Sequence, residues 1–555
     1  MNRVAPRLRA LLMTLPLAAL ASGEHTAPAS LVVYGTIWTG DAGNPEVRAL
    51  AARGDTIVAT GDSARIAELI GPDTRVLHAG NGLVVPGFAD GHTHFSDGGA
   101  QLGYVDLRDA ATPAEFIGRI KAYAARLKPG EWILGGTWDH ERWPGAPLPQ
   151  KAWIDSVTPN NPVFVQRLDG HMGLANSLAL GLAKLSRATP AIVGGTIVRD
   201  AAGELTGVLK DNAMDPVFAV IPPPTPEQAD AAVAAAMQFA NSKGVVAVSA
   251  VSSPWSEVAA FKRAHARGAQ TVRVSLYPAI QDWRRVADTL RADGPGDDWL
   301  RLAGVKGFVD GSLGSTTALF FDHYLDDTTS AGLFVTPEDS LRRWIGDADS
   351  AGLQVVVHAI GDRANALLLD IYDSVAKAHG PRDRRFRIEH AQHLRQQDVP
   401  RFAALGVIAS MQPYHAADDG RWAWKRIRPQ QIAGTYAFRS LLDSHAHLQF
   451  GSDWTVAPLD PLLGIWAAVT RETLDGKHPD GWIPEQKISV VEALRAYTAG
   501  NAYGVFADQR RGTLAQGMLA DLVILGRDIR TIPADSIRTT KVRATVVGGK
   551  VVFGN

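Results

Sequence analysis

The stretch that decides the fold is residues 83–94, LVVPGFADGHTH. It reads as a short buried strand that runs out of apolar residues and ends in two histidines. Residues i and i+2 of an extended chain point to the same face, so His92 and His94 are predicted to project together. Imidazole nitrogen is a common ligand of zinc and related ions. A His-x-His pair alone is weak evidence, so the prediction of a metal site depends on matching ligands at other strands.

Composition limits the classes of protein to consider. The chain has 555 residues, of which 46% are hydrophobic and 20% charged, and it contains no cysteine. These values indicate a globular protein with room for a barrel and additional domains. The formal net charge of −1 provides no global field for nucleic acid or an anionic membrane, so no nucleic-acid partner is predicted. Without cysteine there is neither a disulfide framework nor a lipid-modified cysteine anchor.

The N-terminus has the pattern of an export signal. Arg3, Arg7 and Arg9 precede an apolar segment, residues 10–21, that is too short to span a bilayer. The small-x-small tripeptide ALA at its end predicts cleavage, so residues 1–22 form the predicted signal peptide. The alternative is an ordinary apolar helix at the N-terminus. We therefore predict a periplasmic or secreted protein with no stable membrane anchor after cleavage.

Apolar runs rich in β-branched residues alternate with alanine-rich helical segments along the middle of the chain. Eight near-continuous apolar runs of this kind predict an α/β fold, a closed parallel (β/α)8 barrel of the TIM type. The predicted strands lie at about 83–94, 245–248, 272–276, 302–308, 354–358, 386–390, 406–410 and 448–453.

Both ends of the chain are rich in short strands and turns. This pattern predicts one small β-sandwich domain built from residues 23–85 and 505–555, the alternative being two unrelated caps. The barrel is predicted to span residues 86–504. It would carry an inserted subdomain at about 100–240, after its first strand, because a structureless loop of that length is improbable. Loops at that end of a barrel face the active site.

Polar residues stand where the predicted strands stop. Barrel enzymes place their chemistry at the C-terminal ends of the strands, so these residues are the candidate site. A lone histidine or aspartate there has an ordinary structural explanation, but a lysine inside an apolar strand is costly unless it is paired or neutralised. The coincidence of four histidines, one lysine and one aspartate at the strand ends predicts a metal centre. The residues are His92, His94, Lys306, His358, His390 and Asp453.

Seven motifs follow one another in a characteristic order. They are PGFADGHTH at 86–94, VKGFVDGSLG at 305–314, HAIGD at 358–362, RIEHAQ at 387–392, MQPYH at 411–415, GSD at 451–453 and GTLAQGMLADLV at 512–523. Together they resemble the amidohydrolase superfamily, and within it the YtcJ-like branch called amidohydrolase family 3. The resemblance covers nearly the whole mature chain and is specific for the branch, though not for a substrate.

The resemblance implies a centre of two divalent metal ions. In this reading His92 and His94 hold the more buried ion, and His358 and His390 hold the other. Lys306 matches the position of a carboxylated lysine that bridges both ions, which would turn a costly buried cation into an anionic oxygen ligand. Nitrogen and oxygen ligands accept several metals, so zinc is the family default and not a deduction. A one-metal site also stays open, because the sequence does not show whether Lys306 is carboxylated.

The resemblance also implies a reaction. It implies hydrolysis of a C–N bond in an amide, an N-substituted formamide or a cyclic amide by metal-activated hydroxide, with Asp453 as metal ligand and general base. One alternative is ester hydrolysis or isomerisation at the same metal site. Another is a catalytically silent periplasmic binding or regulatory protein, against which the intact ligand set speaks. The predicted partner is a small-molecule substrate, and the architecture leaves surface for a homodimer.

Further residues are candidates for binding the substrate or for lining the mouth of the site. His171, in the insertion, matches a family motif that reaches the substrate carbonyl, and a structural histidine is the alternative. His415 and the pair Asp418 and Asp419 follow the seventh strand, and they are predicted to line the mouth. Trp138 belongs to a tryptophan-rich part of the insertion and would stack on a substrate or form the subdomain core.

Overall fold

The computed structural model describes Met1 and residues 27–554. In this part of the chain, no helix combines the length and the apolar character needed to cross a membrane. The predicted signal peptide lies outside the described residues, apart from Met1.

Short strands dominate both ends of the described chain, and strands and helices alternate between them. The strands are β1 (Leu31–Trp38), β2 (Glu46–Arg53), β3 (Thr56–Gly61), β4 (Arg75–Pro86), β5 (Phe88–Thr93), β6 (Val105–Asp106), β7 (Gly135–Trp138), β8 (Phe164–Arg167), β9 (Met172–Ala175), β10 (Gly195–Arg199), β11 (Leu205–Asp211), β12 (Val245–Val251), β13 (Arg273–Tyr277), β14 (Leu300–Leu302), β15 (Gly304–Phe308), β16 (Gln354–Ala359), β17 (Arg387–His390), β18 (Ile408–Met411), β19 (His447–Phe450), β20 (Leu522–Leu525), β21 (Val542–Val547) and β22 (Lys550–Gly554). The helices are α1 (Ser63–Ala67), α2 (Phe95–Gln101), α3 (Pro113–Ala124), α4 (Lys151–Asp155), α5 (Ser177–Leu182), α6 (Asp215–Phe218), α7 (Pro226–Ser242), α8 (Trp255–Ala266), α9 (Trp283–Asp293), α10 (Glu338–Ser350), α11 (Asp362–His379), α12 (Val399–Leu405), α13 (Pro413–Asp419), α14 (Pro429–Ala433), α15 (Phe438–Asp443), α16 (Pro461–Thr470), α17 (Val490–Ala496) and α18 (Ala499–Gly504).

A seven-stranded sheet joins the two ends of the chain, in the order β22-β21-β20-β4-β1-β2-β3. β4 is its central link, because it pairs in parallel with β1 and antiparallel with β20. The strands therefore form one continuous hydrogen-bonded sheet built from both ends of the chain, and its packing as a β-sandwich stays a prediction. Alternate residues, such as Leu31 and Val33 of β1 and Leu522 and Ile524 of β20, share one buried apolar cluster.

The middle of the chain has an α/β fold of parallel strands. β14-β13-β12-β5 form one sheet and β15-β16-β17-β18-β19 form another. Parallel bridges connect the two sheets at both edges, between Ala279 and Lys306 and between Thr93 and Trp454. All carboxyl ends of these strands therefore lie at the same end of the assembly, and that end holds the candidate site.

The LVVPGFADGHTH stretch is divided between two sheets, so the prediction of a single strand is wrong. The last residues of β4 pair with β20, whereas β5 pairs with β12. The change of sheet lies at Pro86 and Gly87. Proline has no backbone N–H to donate to a sheet, and Gly87 passes so close to Val246 that a Cβ at this position would collide with the valine side chain. His92 lies on β5, while His94 is the N-cap residue of α2.

The helix between the insertion and β12 shows how local chemistry sets an element boundary. The Thr225 hydroxyl accepts the Gln228 N–H, the Gln228 side chain accepts the Thr225 N–H, and Pro226 occupies the first turn. This capping box satisfies N–H groups that the helix leaves free. α7 is one of the predicted alanine-rich helical segments, and it begins at Pro226.

The insertion forms a sheet of its own, in the order β10-β11-β9-β8-β7-β6. Its core is a cluster of aromatic and aliphatic side chains that includes Phe116, Trp138 and Trp143. The turn between β8 and β9 carries His171 to the carboxyl ends of the parallel strands, where its ring centroid lies 5.0 Å from that of His358. The insertion thus supplies one wall of the site.

Candidate metal centre

The structure brings the predicted ligands together at the carboxyl ends of the parallel strands. The His358 and His390 ring centroids are 4.5 Å apart, and those of His92 and His390 are 4.8 Å apart. Lys306 Nζ lies 3.3 Å from His92 Nε2. The complete set that meets here is His92, His94, Lys306, His358, His390 and Asp453.

A carboxylate holds the His92 ring on the side that faces away from the candidate site. The ring is fully buried, and its Nδ1 hydrogen-bonds the carboxylate of Glu389, which lies on β17. A carboxylate can only accept, so Nδ1 carries the proton and the Nε2 lone pair faces the site. Glu389 is itself fixed by Arg387 Nε at 2.7 Å and Ser410 Oγ at 2.7 Å. This arrangement sets the tautomer and the orientation that metal binding needs.

Neutral groups hold the other two buried imidazoles. His358 Nε2 lies 3.0 Å from the Gly311 carbonyl oxygen, and His390 Nδ1 lies 2.8 Å from Gln412 Oε1. Both partners accept an N–H, so the opposite ring nitrogen of each imidazole is free to bind an ion. Burial lowers the pKa of His92, His358 and His390 well below its usual value. These imidazoles are therefore neutral near pH 7, the state that metals bind.

Asp453 provides the test of whether the residues fit a metal ion. Its Oδ1 is buried and has no hydrogen-bond partner among the described residues, yet it lies 3.3 Å from His94 Nε2 and 3.5 Å from His92 Nε2. Two donors that share one tetrahedral ion at about 2.1 Å each lie about 3.4 Å apart. The imidazole and carboxylate donors therefore fit a divalent ion such as zinc.

Lys306 is a buried cation among the predicted metal ligands. It is 1% exposed, and its Nζ lies 4.6 Å from the centroid of the Phe308 ring. Burial lowers the pKa of Lys306 to about 8, a shift that the carboxylates of Glu389 and Asp453 partly oppose. Such an environment is costly for an ammonium group, and it is unusual for a purely structural lysine.

Two site residues have backbone conformations that side chains rarely adopt. His390 has φ of 74° and Asp453 has φ of 58°. Non-glycine residues in the left-handed region are uncommon, and the surrounding structure must hold them there. His390 is the last residue of β17, and Asp453 lies in the loop that follows β19, so both unusual conformations occur where the chain leaves a strand beside the site.

A pocket of about 510 Å³, open to solvent, lies over the cluster. Its walls combine strand ends with the insertion, which contributes Arg167 and Asp169, and the helix after β18, which contributes Asp418 and Asp419. The predicted mouth residues therefore line the pocket. Its floor includes His358, His390 and Asp453.

His171 and His415 both reach this pocket. His171 Nδ1 lies 2.6 Å from Asp211 Oδ1. Burial opposes protonation of this imidazole, but the charge and hydrogen bond of Asp211 outweigh it and raise the pKa of His171. His415 Nε2 is buried without a hydrogen-bond partner among the described residues, and a nitrogen of this ring lies within 4.8 Å of donor atoms of His390 and Asp453.

Trp138 does not reach the pocket, so its prediction as a substrate contact is wrong. The side chain is fully buried in the core of the insertion, between Phe116 and Trp143. Its indole N–H donates to the Val165 carbonyl oxygen at 2.9 Å. The aromatic surface that suggested stacking on a substrate is used to hold the inserted sheet together.

The residues that hold the ligands were not predicted. Glu389, Arg387 and Gln412 lie inside the RIEHAQ and MQPYH motifs, but no role was predicted for them. One signal was available, because Arg387 and Glu389 stand two residues apart in a short apolar strand and must share its buried face. Two opposite charges in such a place indicate a buried ion pair.

Comparisons with known proteins agree with this site. The model of the Amidohydrolase family matches residues 75–553. Three relatives are the protein LONG AFTER FAR-RED 3 of Arabidopsis thaliana (39% identical; 94% of this chain and 91% of the relative), YtcJ of Bacillus subtilis strain 168 (30%; 90% and 94%) and the N-substituted formamide deformylase of Arthrobacter pascens (26%; 94% and 97%). A metal-dependent hydrolase from Pyrococcus horikoshii, known from its crystal structure, matches with a TM-score of 0.73 at 29% identity, over 91% of this chain and 99% of that one.

The matches extend from the terminal sheet through the parallel strands to β22, so they cover the site and its supports. They confirm the resemblance that the ordered motifs predict. The buried cluster of imidazoles and a carboxylate is what a metal-dependent hydrolase requires at these strand ends. The chain therefore belongs to the amidohydrolase family, and its chemistry is that of a metal-dependent hydrolase.

Proposed function

We propose that this protein hydrolyses a C–N bond of an amide, an N-substituted formamide or a cyclic amide in a small molecule. The observation that carries the proposal is the buried Oδ1 of Asp453, which has no hydrogen-bond partner within residues 27–554 and lies beside the Nε2 atoms of His92 and His94. This group can both bind an ion and accept a proton from water. The family match and the similarity to a formamide deformylase support the C–N bond as the one that is cleaved.

We propose that the eight parallel strands β5, β12, β13, β15, β16, β17, β18 and β19 close as a (β/α)8 barrel of the TIM type. The parallel bridges from Ala279 to Lys306 and from Thr93 to Trp454 support closure, because they join the two sheets at both edges. In a closed barrel the first strand, β5, and the sixth strand, β17, border the same interior. Closure therefore explains why His92 of β5 contacts Glu389 of β17.

We propose two divalent ions, with zinc as the expected metal. His92, His94 and Asp453 would hold one ion, and His358 and His390 would hold the other. Lys306 lies beside His92, and carboxylation would replace its buried cation by an anionic oxygen ligand for both ions. Bound at this place, a divalent ion lowers the pKa of coordinated water and polarises a carbonyl oxygen.

The residues of the chain then have distinct tasks. Asp453 accepts a proton from the attacking water and delivers it to the nitrogen that leaves, while the remaining hydroxyl bonds to the carbonyl carbon and the C–N bond breaks. The products are a carboxylic acid and an amine, so atoms and charge balance. His171, oriented by Asp211, presents an N–H toward the substrate carbonyl.

A panel of substrates tests the proposal. The protein without residues 1–22 is loaded with zinc, its metal content is measured, and release of amine or acid is followed with N-substituted formamides, cyclic amides and matched esters. We expect turnover of at least one C–N substrate and a higher kcat/KM for it than for its ester counterpart. Turnover of esters alone would contradict the C–N assignment, and a fully loaded protein that binds ligands without turnover would support the silent binding protein.

Export to the periplasm or medium stays a prediction, as its signal lies outside the described residues. The homodimer also stays a prediction. Sedimentation of the purified chain and N-terminal sequencing of the exported form test the two expectations separately.

A further inference from the structure

We infer that Arg511 belongs to a binding site for a small inorganic anion, of the size of chloride, at the end of the parallel strands opposite the candidate metal centre. The residue lines a cavity of about 250 Å³ where the seven-stranded sheet meets the parallel strands. Ala89, near the start of β5, and Val246, near the start of β12, also line this cavity, whereas His92 lies near the other end of β5. The anion site is therefore separate from the reaction centre.

The Arg511 guanidinium has donors that the chain does not use. Its Nε and Nη1 are buried and make no hydrogen bond to any residue in the range 27–554, although the residue as a whole is partly accessible to solvent. These two nitrogens carry three N–H groups and no acceptor. A buried ionised group without a partner is costly, so these donors indicate a ligand that supplies negative charge.

The carboxylates near Arg511 are already paired with other arginines. Asp521, which also lines the cavity, accepts Arg273 Nε at 2.7 Å and Arg273 Nη2 at 2.9 Å. Asp298 accepts Arg510 Nη2 at 2.9 Å. The charge of each carboxylate is therefore balanced by a neighbouring arginine, and Arg511 is one positive charge in excess.

The surrounding charges increase this excess. Burial, together with the positive charge of Arg273, lowers the pKa of Arg511 to about 10, and Asp521 partly opposes the shift. Arg301, whose Nη1 donates to the Val505 carbonyl oxygen at 2.9 Å, adds another positive charge nearby. Arg511 still keeps its charge near pH 7, and an anion is the ligand that these charges attract.

The backbone holds Arg511 in place on both sides. Its own N–H donates to the Ala507 carbonyl oxygen at 2.9 Å. The next residue, Gly512, packs so closely against α18 that a Cβ there would lie 2.8 Å from Ala499 Cα, and its φ of 99° is one that side chains rarely adopt. The cation is therefore carried by a fixed segment, and an anion can bind without ordering it first.

The walls of the cavity favour a small ion. Most of the lining is glycine, alanine and valine, and the Thr498 hydroxyl donates to the Leu494 carbonyl oxygen at 2.8 Å. A large organic anion would need further polar partners, whereas a small ion needs the guanidinium and ordered water. A bound anion would neutralise Arg511 where the seven-stranded sheet meets the parallel strands, so we expect it to stabilise the contact between them.

Thermal unfolding in defined salts tests the inference. The zinc-loaded protein without residues 1–22 is kept at constant ionic strength while sodium gluconate, which has a bulky organic anion, is replaced by sodium chloride. Circular dichroism follows the midpoint of unfolding at a fixed heating rate. We expect the midpoint of the parent to rise by about 2–4 °C as chloride increases, because a ligand that binds only the folded state stabilises it.

Two substitutions distinguish a bound anion from a purely structural arginine. Arg511→Met keeps a long side chain and removes the cation, so its midpoint should not respond to chloride, and in gluconate it should equal or exceed that of the parent. Arg291→Gln removes an exposed arginine of α9 and should keep the full response. An Arg511→Met protein that is destabilised equally in both salts would overturn the inference, as would one that keeps the chloride response.

Crystallography locates the ion directly and needs only the parent protein. Crystals of the zinc-loaded chain are grown in sodium bromide, and the anomalous signal of bromide is mapped. We expect a peak in contact with Arg511 Nε or Nη1. A water molecule at this place without an anomalous peak, or a peak at the zinc centre alone, would overturn the inference even if Arg511→Met did not fold. Both outcomes would leave the proposed hydrolase intact.

Discussion

The ends of the parallel strands and the core of the insertion are equally buried, but they are built from opposite chemistry. Beneath the pocket, Lys306, Arg387 and Glu389 are almost inaccessible to solvent. In the insertion, Trp138 and Trp143 fill the corresponding interior. Buried charge is costly and persists where it performs a task, whereas buried aromatic surface stabilises a fold by itself. Unfavourable burial is therefore the better guide to function.

The largest effect is expected for the substitution Asp453→Asn, which tests the functional side of this contrast. The amide keeps the size of the side chain but cannot accept the proton of water, so kcat should fall by about 10²–10⁴-fold. Steady-state kinetics on the zinc-loaded variant provides the measurement. Asp480→Asn, at an exposed position, is the matched control and should leave kcat unchanged. An Asp453→Asn enzyme with unchanged kcat would remove Asp453 from the mechanism.

The substitution Trp138→Ala tests the structural side. Removing a fully buried indole should lower the free energy of unfolding by about 3–5 kcal/mol, measured by urea denaturation with circular dichroism. Trp424→Ala changes a tryptophan that is 60% exposed and should have an effect near zero. A conservative Trp138→Phe protein of unchanged stability but greatly raised KM would contradict the core assignment and restore Trp138 as a substrate contact.

A smaller effect is expected where the insertion contacts the segment that follows α13. Glu141, in the insertion, lies 2.9 Å from Lys425 Nζ and 2.7 Å from Arg426 Nη2. Burial alone would raise the pKa of Glu141, but the hydrogen bonds from Lys425 and Arg426 hold it at about 2. A carboxyl group with a lowered folded pKa stabilises the protein above its unfolded pKa of about 4.5, and this contribution is lost as the pH falls toward 2.

Glu141→Gln should therefore destabilise the protein near neutral pH by about 2 kcal/mol and flatten the loss of stability between pH 4.5 and 2. Urea denaturation at several pH values measures both effects. Parallel pH profiles of the variant and the parent would show that the contact between the insertion and this segment does not depend on the charge of Glu141.

The ligand residues could be predicted because parallel strands place their carboxyl ends at one edge, whatever loops lie between them. His92, Lys306 and His390 needed only an assignment to strand ends. Trp138 could not be assigned, since an aromatic side chain in a Gly- and Pro-rich segment serves a core or a ligand equally well. The supports of the ligands could not be predicted either, because the contact of His92 with Glu389 spans 297 positions in sequence.

The sequence by itself determined the α/β class, the family and the residue types at the strand ends, since these depend on local apolar patterns and short motifs. Only the tertiary structure decided where the chain passes from one sheet to the other at Gly87, which nitrogen of each histidine faces the site, and which groups hold the histidines. The change of sheet at Gly87 depends on pairing with β20 on one side and with β12 on the other, and the site-facing nitrogen of His92 depends on the distant carboxylate of Glu389. Both are contacts between segments far apart in the chain, and local pattern carries no information about them.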